Sequence, residues 1–290
     1  MIRKLFILSL ALLLALCAAA EVSVTDAYGR TFTFDAPVTK IVALSAADCE
    51  MLCAIGGESL LVGIGEYCNY PESITALPVV ASGAETNIEQ ILALMPQVII
   101  ASDMGMSLDT VNLLESCGIP VIESQAYSIE DTYSAIRVLG TLTGFDENAE
   151  SVVAGMQSTF ADISETALPS GKTVYFEVSP LEWGLWTAGK GTFMDELAAI
   201  CGLENAFADV SSWAEISEEQ VLLRDPDYIV TIAMYYGEGP TPVEEIMSRA
   251  GWSELKAVKN GNVIMLDSDS VSRPGPRLAD AALALSLELD

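Results

Sequence analysis

Residues 217–230 repeat residues 87–100 at an offset of 130, with five of fourteen positions identical: Glu89 and Glu219, Gln90 and Gln220, Leu92 and Leu222, Pro96 and Pro226, Ile99 and Ile229. Each copy reads as a short helix that passes through its proline into an apolar strand. A weaker echo sets Leu52-Cys53-Ala54-Ile55-Gly56-Gly57 beside Leu197-Ala198-Ala199-Ile200-Cys201-Gly202. Repeated units this far apart predict two lobes of like construction.

Around the copies the chain alternates apolar β-rich runs with helical patterns, as parallel α/β sheets do. After an extended opening at 22–34 with a turn at Tyr28-Gly29-Arg30, strands are predicted at 41–44, 61–64, 98–101 and 120–123, and helices at 48–55, 88–95 and 108–117. Residues 129–168 interrupt the alternation with two helices separated at Gly144-Phe145-Asp146, and the second, 147–166, is long enough to bridge two lobes. Beyond Pro169-Ser170-Gly171 the alternation resumes, with strands at 174–178, 228–232 and 263–266, helices at 193–201 and 218–224, and a final helix from Pro276. The fold expected is α/β: two similar lobes, residues 21–143 and 169–290, each a parallel-sheet α/β sandwich, joined by one long helix within 144–168.

Residues 1–20 stand outside that fold. Arg3-Lys4, the apolar run 5–16 and Ala18-Ala19-Ala20 have the three regions of a secretory signal peptide, and the run is shorter than the ~20 residues a membrane span needs. Leu14-Ala15-Leu16-Cys17 loosely resembles a lipoprotein box, while Ala18-x-Ala20 offers a conventional cleavage site. Either way the chain is expected outside the cytoplasm, in the periplasm or lipid-anchored on the outer face of the cytoplasmic membrane.

Composition then excludes several functions. With 41 acidic residues against 13 basic, the chain would repel nucleic acid and anionic lipid surfaces. It has no histidine, which removes Ser-His-Asp and Cys-His catalysis, the usual exported zinc sites and histidine-ligated haem. Beyond the leader stand Cys49, Cys53, Cys68, Cys117 and Cys201, an odd set that leaves at least one thiol unpaired. Burial as small hydrophobes is the expectation for them. Cys49 and Cys53 share a helix face, but two thiols alone make a poor metal site.

Four constellations could carry chemistry. Gly184-Leu185-Trp186-Thr187-Ala188-Gly189-Lys190 fits the front of a phosphate-binding loop, yet Gly191 stands where Ser or Thr must hold magnesium, so nucleotide binding is not expected. Glu89 and Glu219 sit in the first turns of matching helices; they could close capping boxes, or offer a partner one carboxylate from each lobe. Tyr67, Tyr70, Trp183, Trp186, Trp213, Tyr235 and Tyr236 fall in predicted loops, where aromatic rings with polar tips suit a large flat ligand. The segment 270–277, with Pro274 and Pro276, reads as a stiff loop in which Arg273 could bind a ligand carboxylate or phosphate and Arg277 makes a structural ion pair.

Together Val24-Thr25-Asp26-Ala27-Tyr28-Gly29-Arg30, the strand with Pro37 and Ile41, Asn87-Ile88-Glu89 leading to Pro96, residues 217–226 and Arg273-Pro274-Gly275-Pro276-Arg277 resemble the periplasmic binding proteins for iron siderophores and cobalamin, whose lobes a single rigid helix joins. The resemblance runs from Val22 to the C-terminus. It implies the substrate-binding protein of an ABC importer, with Glu89 and Glu219 docking on arginines of a permease dimer. Against the cobalamin-binding member it places Tyr67, Trp186, Trp213, Asp269 and Arg273 at or near ligand contacts, and Tyr235 joins them as a cleft aromatic. One expected tryptophan contact is replaced by Gly83.

Ferric catecholate siderophores are anionic and meet several basic residues, whereas this chain offers Arg273 and Lys190, which favours a corrinoid. Haem could be ligated by Tyr67, Met104, Met106 or Met234. The expectation is a monomeric carrier of a bulky metal chelate with no catalytic residues, no resident metal and no cofactor of its own. The rival is an exported α/β hydrolase, which would have to work without histidine or a Gly-x-Ser-x-Gly turn.

Overall fold

The computed structural model describes residues 21–82, 85–102, 106–167, 171–233, 237 and 239–289. The leader with Cys17, and Gly83, Met104, Met234, Tyr235 and Tyr236, lie outside the described residues. The extended opening is a hairpin, with β1 (Val22–Thr25) antiparallel to β2 (Thr31–Phe34). Its turn closes because Asp26 accepts from the amides of Tyr28 and Arg30 while Gly29 takes a φ of 78°, a left-handed position that glycine fills without strain.

β3 (Ile41–Ala43) and β7 (Val98–Ala101) are buried at every position, as strands covered on both faces of a parallel sheet must be. They form the middle of a six-stranded sheet. β4 (Leu61–Gly65), β5 (Val79–Ser82) and β6 (Glu85–Thr86) continue it on one side and β8 (Val121–Glu123) on the other, in the order β6-β5-β4-β3-β7-β8. Only the β5–β6 pair is antiparallel. Helices α1 (Ala46–Ala54), α2 (Ile88–Leu94) and α3 (Leu108–Ser116) connect these strands.

Two helices then lead out of the lobe. α4 (Ile129–Thr143) opens on a Ser128–Asp131 capping box and ends at Gly144 with a φ of 78°. α5 (Asp146–Thr166) buries Ala149, Val153, Met156, Phe160 and Ile163, a stripe at alternating spacings of four and three that keeps one face of a 3.6-residue helix on the core. The close approach of α4 and α5 requires Gly140, where a Cβ would lie 2.5 Å from that of Ala149.

The second lobe carries β9 (Thr173–Glu177), β11 (Glu204–Asn205), β13 (Tyr228–Thr231) and β14 (Val263–Met265) in the parallel order β11-β9-β13-β14. This is the arrangement β4-β3-β7-β8 of the first lobe. Beside it, β10 (Leu185–Ala188) and β12 (Trp213–Ile216) form an antiparallel pair. The helices are α6 (Phe193–Ile200), α7 (Glu218–Arg224), α8 (Pro242–Ser248), α9 (Lys256–Asn260), α10 (Ser268–Ser272) and α11 (Leu278–Glu288). α5 packs on α4 at one end and on α6 and α11 at the other, and one apolar cluster runs from Ile136 and Leu139 through Phe160 to Val174 and Leu285.

The sequence echo is a structural repeat in detail. Asn87 and Ser217 each accept, through the side chain, from the third residue on, Gln90 or Gln220. The helices end on Met95 and Asp225 with φ 51° and 45°, before the buried Pro96 and Pro226. The weaker echo holds with its register moved by one: Gly56 matches Gly202, not Cys201, since both take positive φ past a helix end and their successors, Gly57 and Leu203, bond back to Leu52 and Ala198.

Three local readings change. The phosphate-loop candidate is β10 itself; Gly189 is required where a Cβ would sit 2.3 Å from the Val210 carbonyl oxygen, and Thr192 caps α6. The stiff loop at 270–277 begins inside α10, and the last helix starts at Leu278 rather than Pro276. Neither Glu89 nor Glu219 closes a capping box, because Gln220 stands at the required position and accepts from the Ser217 amide at 2.9 Å.

Candidate functional site

In open parallel sheets, ligands sit beyond the carboxyl ends of the strands. Tyr67 follows β4, Trp186 lies on β10, Trp213 opens β12, and Asp269 and Arg273 belong to α10 and its C-cap, just after β14. Tyr235 cannot be placed, since it lies outside the described residues.

Arg273 ties the lobes together. Its Nη1 donates to Glu50 Oε1 at 2.8 Å and to Asn69 Oδ1 at 2.7 Å, and its Nη2 meets Asp269 Oδ1 at 2.7 Å and the Tyr67 carbonyl at 3.3 Å. Asn69 also donates to Asp269. Arg277, four residues on across the proline loop, donates from Nε and Nη2 to the two Glu50 oxygens at 2.8 and 2.6 Å, and its guanidinium lies 4.4 Å from the centre of the Tyr70 ring. Arg277 therefore makes the ion pair expected of it, and Arg273 shares its carboxylate. Hydrogen bonding to Glu50 pushes the Arg277 guanidinium above its already high range. Glu50, whose side chain is 2% exposed, receives both cations.

Sequence reasoning missed Glu50. Its signal was an acidic residue between Cys49, Met51 and Leu52 inside a nine-residue helix, a place where an unpaired carboxylate would not survive burial.

Trp186 and Trp213 share a face. In the β10–β12 register Trp186 stands opposite Glu215 and Ala188 opposite Trp213, and residues directly opposite project to the same side of an antiparallel pair. The other face, with Leu185 and Ile216, is buried. Trp186 is 40% exposed; Trp213 is half-buried, with its ring 5.4 Å from Phe193 and 6.0 Å from Tyr127. Tyr127 is a second missed residue: it belongs to the first lobe, and its carbonyl accepts from the Phe193 amide at 2.7 Å. Tyr67, Tyr70 and Trp183 are exposed.

Glu89 and Glu219 are both exposed on the first turns of α2 and α7. Three residues on from each, Leu92 and Leu222 are also exposed, so each lobe presents a Glu-x-x-Leu pair on one helical face. The Ser217 hydroxyl holds the Glu219 carboxyl below its ordinary range.

A concavity of about 720 Å³ lies elsewhere, between α5, α11 and the amino ends of β9 and β13, with Lys172 and Tyr228 at its wall. It is remote from the strand ends that carry the predicted residues. Among the described residues no group of three Asp, Glu or Cys side chains is placed to hold a metal.

Comparison with known proteins follows this geometry. Residues 41–270 match the family model described as periplasmic binding protein. An uncharacterized ABC transporter substrate-binding lipoprotein of Bacillus subtilis is 32% identical over 272 residues, 91% of this chain and 84% of that one. The vitamin B12-binding protein of Salmonella typhi is 32% identical over 250 residues, 85% of this chain and 88% of its own length. Among solved structures, the periplasmic vitamin B12 binding protein of Vibrio cholerae superposes with a TM-score of 0.73 at 27% identity, over 87% of this chain and 97% of that one. The periplasmic haem binding protein of the same organism shares the fold, with a TM-score of 0.78 at 20% identity over 87% and 98%. These relatives are binding proteins, and the hydrolase alternative finds no support among them.

Proposed function

The chain belongs to the periplasmic binding protein family, and from that premise we propose that it is the exported substrate-binding protein of an ABC importer and carries a corrinoid between its lobes. The observation that carries the choice of ligand is the pairing of its cations. All six arginines among the described residues, Arg30, Arg137, Arg224, Arg249, Arg273 and Arg277, form salt bridges with carboxylates. A polyanionic ferric catecholate would meet Lys190 and arginines already engaged, a poor electrostatic match. A corrinoid asks instead for a broad apolar platform with polar edges, a role that the shared face of Trp186 and Trp213 suits, and Tyr67, Asp269 and Arg273 are the further contacts this reading assigns. The vitamin B12-binding relatives support the same choice.

Glu89 and Glu219, each with its exposed leucine, are the proposed contacts to the permease. The protein acts as a monomer, either free in the periplasm or anchored at the membrane through Cys17.

Titration of the purified chain with cobalamin, cobinamide, haem and ferric siderophores, followed by tryptophan fluorescence, tests the ligand. Saturable quenching by the corrinoids at submicromolar concentration is the expected result. Quenching by haem or a siderophore alone would overturn the corrinoid assignment and leave the carrier role standing.

A further inference from the structure

Cys49 and Cys68 lie in different elements, yet their thiols share an acceptor. Cys49 Sγ is 3.7 Å and Cys68 Sγ 3.9 Å from the Ala43 carbonyl oxygen, and Cys68 is also 3.9 Å from that of Leu44. The neighbouring Cys68 thiol, together with burial, raises the Cys49 thiol well above its ordinary range. Both residues are buried. Cys49 belongs to α1, beside Glu50, while Cys68 belongs to the turn after β4 and stands between Tyr67 and Asn69, the residues that hold Arg273 and Asp269.

The other cysteines are placed differently. Cys53 is half-buried one helical turn along α1, and burial raises its thiol to about 12. Cys201 donates to the Ala282 carbonyl in the second lobe, and Cys117 is exposed at the end of α3.

We propose that Cys49 and Cys68 are a disulfide site, whose oxidation staples the turn at 66–70 to α1 and fixes the first-lobe end of the Arg273 network. Only the supply of oxidant rests on the proposed export, since disulfides persist outside the cytoplasm. The step is thiol–disulfide exchange with an external disulfide. One cysteine, as thiolate, attacks and releases an external thiol; the other then displaces the second external thiol from the mixed disulfide. The protein pair loses two electrons and two protons, and the external disulfide becomes two thiols.

The test is exposure of the full exported chain to oxidised glutathione, followed by thiol counting in denaturant and peptide mapping. The expected results are loss of the Cys49 and Cys68 thiols together, a Cys49–Cys68 linked peptide free of glutathione, and slower amide exchange at 66–70. The unfolding midpoint should rise by about 5 °C over the reduced form. C53S should behave as the parent chain. C68S, checked for its fold by circular dichroism, should yield no linked peptide from Cys49. No thiol loss from the parent chain, or a linked peptide that contains Cys53, would overturn the assignment. None of these readouts uses the ligand, so a failure of the corrinoid reading leaves them unaffected.

Discussion

Asp48 is wholly buried at the head of α1, and desolvation raises its carboxyl from 3.8 to about 6 although the Ser45 and Ser124 hydroxyls pull it down. The folded chain therefore binds more protons than the unfolded chain between those two values. The contribution of Asp48 is fully present below the lower value and is lost as pH rises through about 6. Asp48→Asn should remove that fall and stabilise the protein at neutral pH by up to ~3 kcal/mol; a melting profile between acid and neutral pH that keeps the parent slope would refute the assignment to Asp48. Glu50 is the opposite case, a buried carboxylate with two guanidinium partners. Glu50→Ala removes the carboxylate that both guanidinium groups share, leaving Arg273 with Asp269 and Arg277 with Asp267, and should cost ~1–3 kcal/mol in urea unfolding, whereas Arg273→Ala should cost less, because Arg277 still bonds both Glu50 oxygens. The sequence named Arg273 and Arg277 from their rarity and the prolines around them. It could not name the partners of Glu50, which lie 223 and 227 positions away across the lobes.

At the scale of elements, α2 and α7 were legible from a polar cap and its partner three residues on, and α5 from an apolar stripe of helical spacing, all of them local instructions. The β10–β12 pair was not. Its strands have four residues each, and the glycines around β10 mimic a loop. Yet this pair decides which tryptophans stand together. Trp213 packs on Phe193 and Tyr127 as well as sharing the exposed face, so Trp213→Ala should lower both stability, by ~2–4 kcal/mol, and corrinoid affinity. Trp186→Ala should leave stability within ~1 kcal/mol while weakening corrinoid binding at least about tenfold, the loss of one well-packed aromatic contact. Equal destabilisation by the two variants would mean that the tryptophans do not divide the work in this way.

At the scale of the whole molecule, the two Glu-x-x-Leu pairs lie on equivalent helices of lobes that α5 holds in one packed core. Glu89→Ala combined with Glu219→Ala should abolish uptake by cells while corrinoid affinity stays within about twofold, because neither carboxylate belongs to the β10–β12 pair that carries the tryptophans; normal import by the double variant would remove the docking assignment. That the lobes are alike, and that a helix joins them, was written in the sequence, because repeats, caps and periodic burial are properties of neighbouring residues. What only the tertiary structure decided is which distant groups meet: Glu50 with both arginines, Tyr127 with Trp213, Cys49 with Cys68. These are contacts between segments whose separation along the chain carries no local signal, and packing selects them only when the strands of each sheet are aligned and α5 sets one lobe against the other.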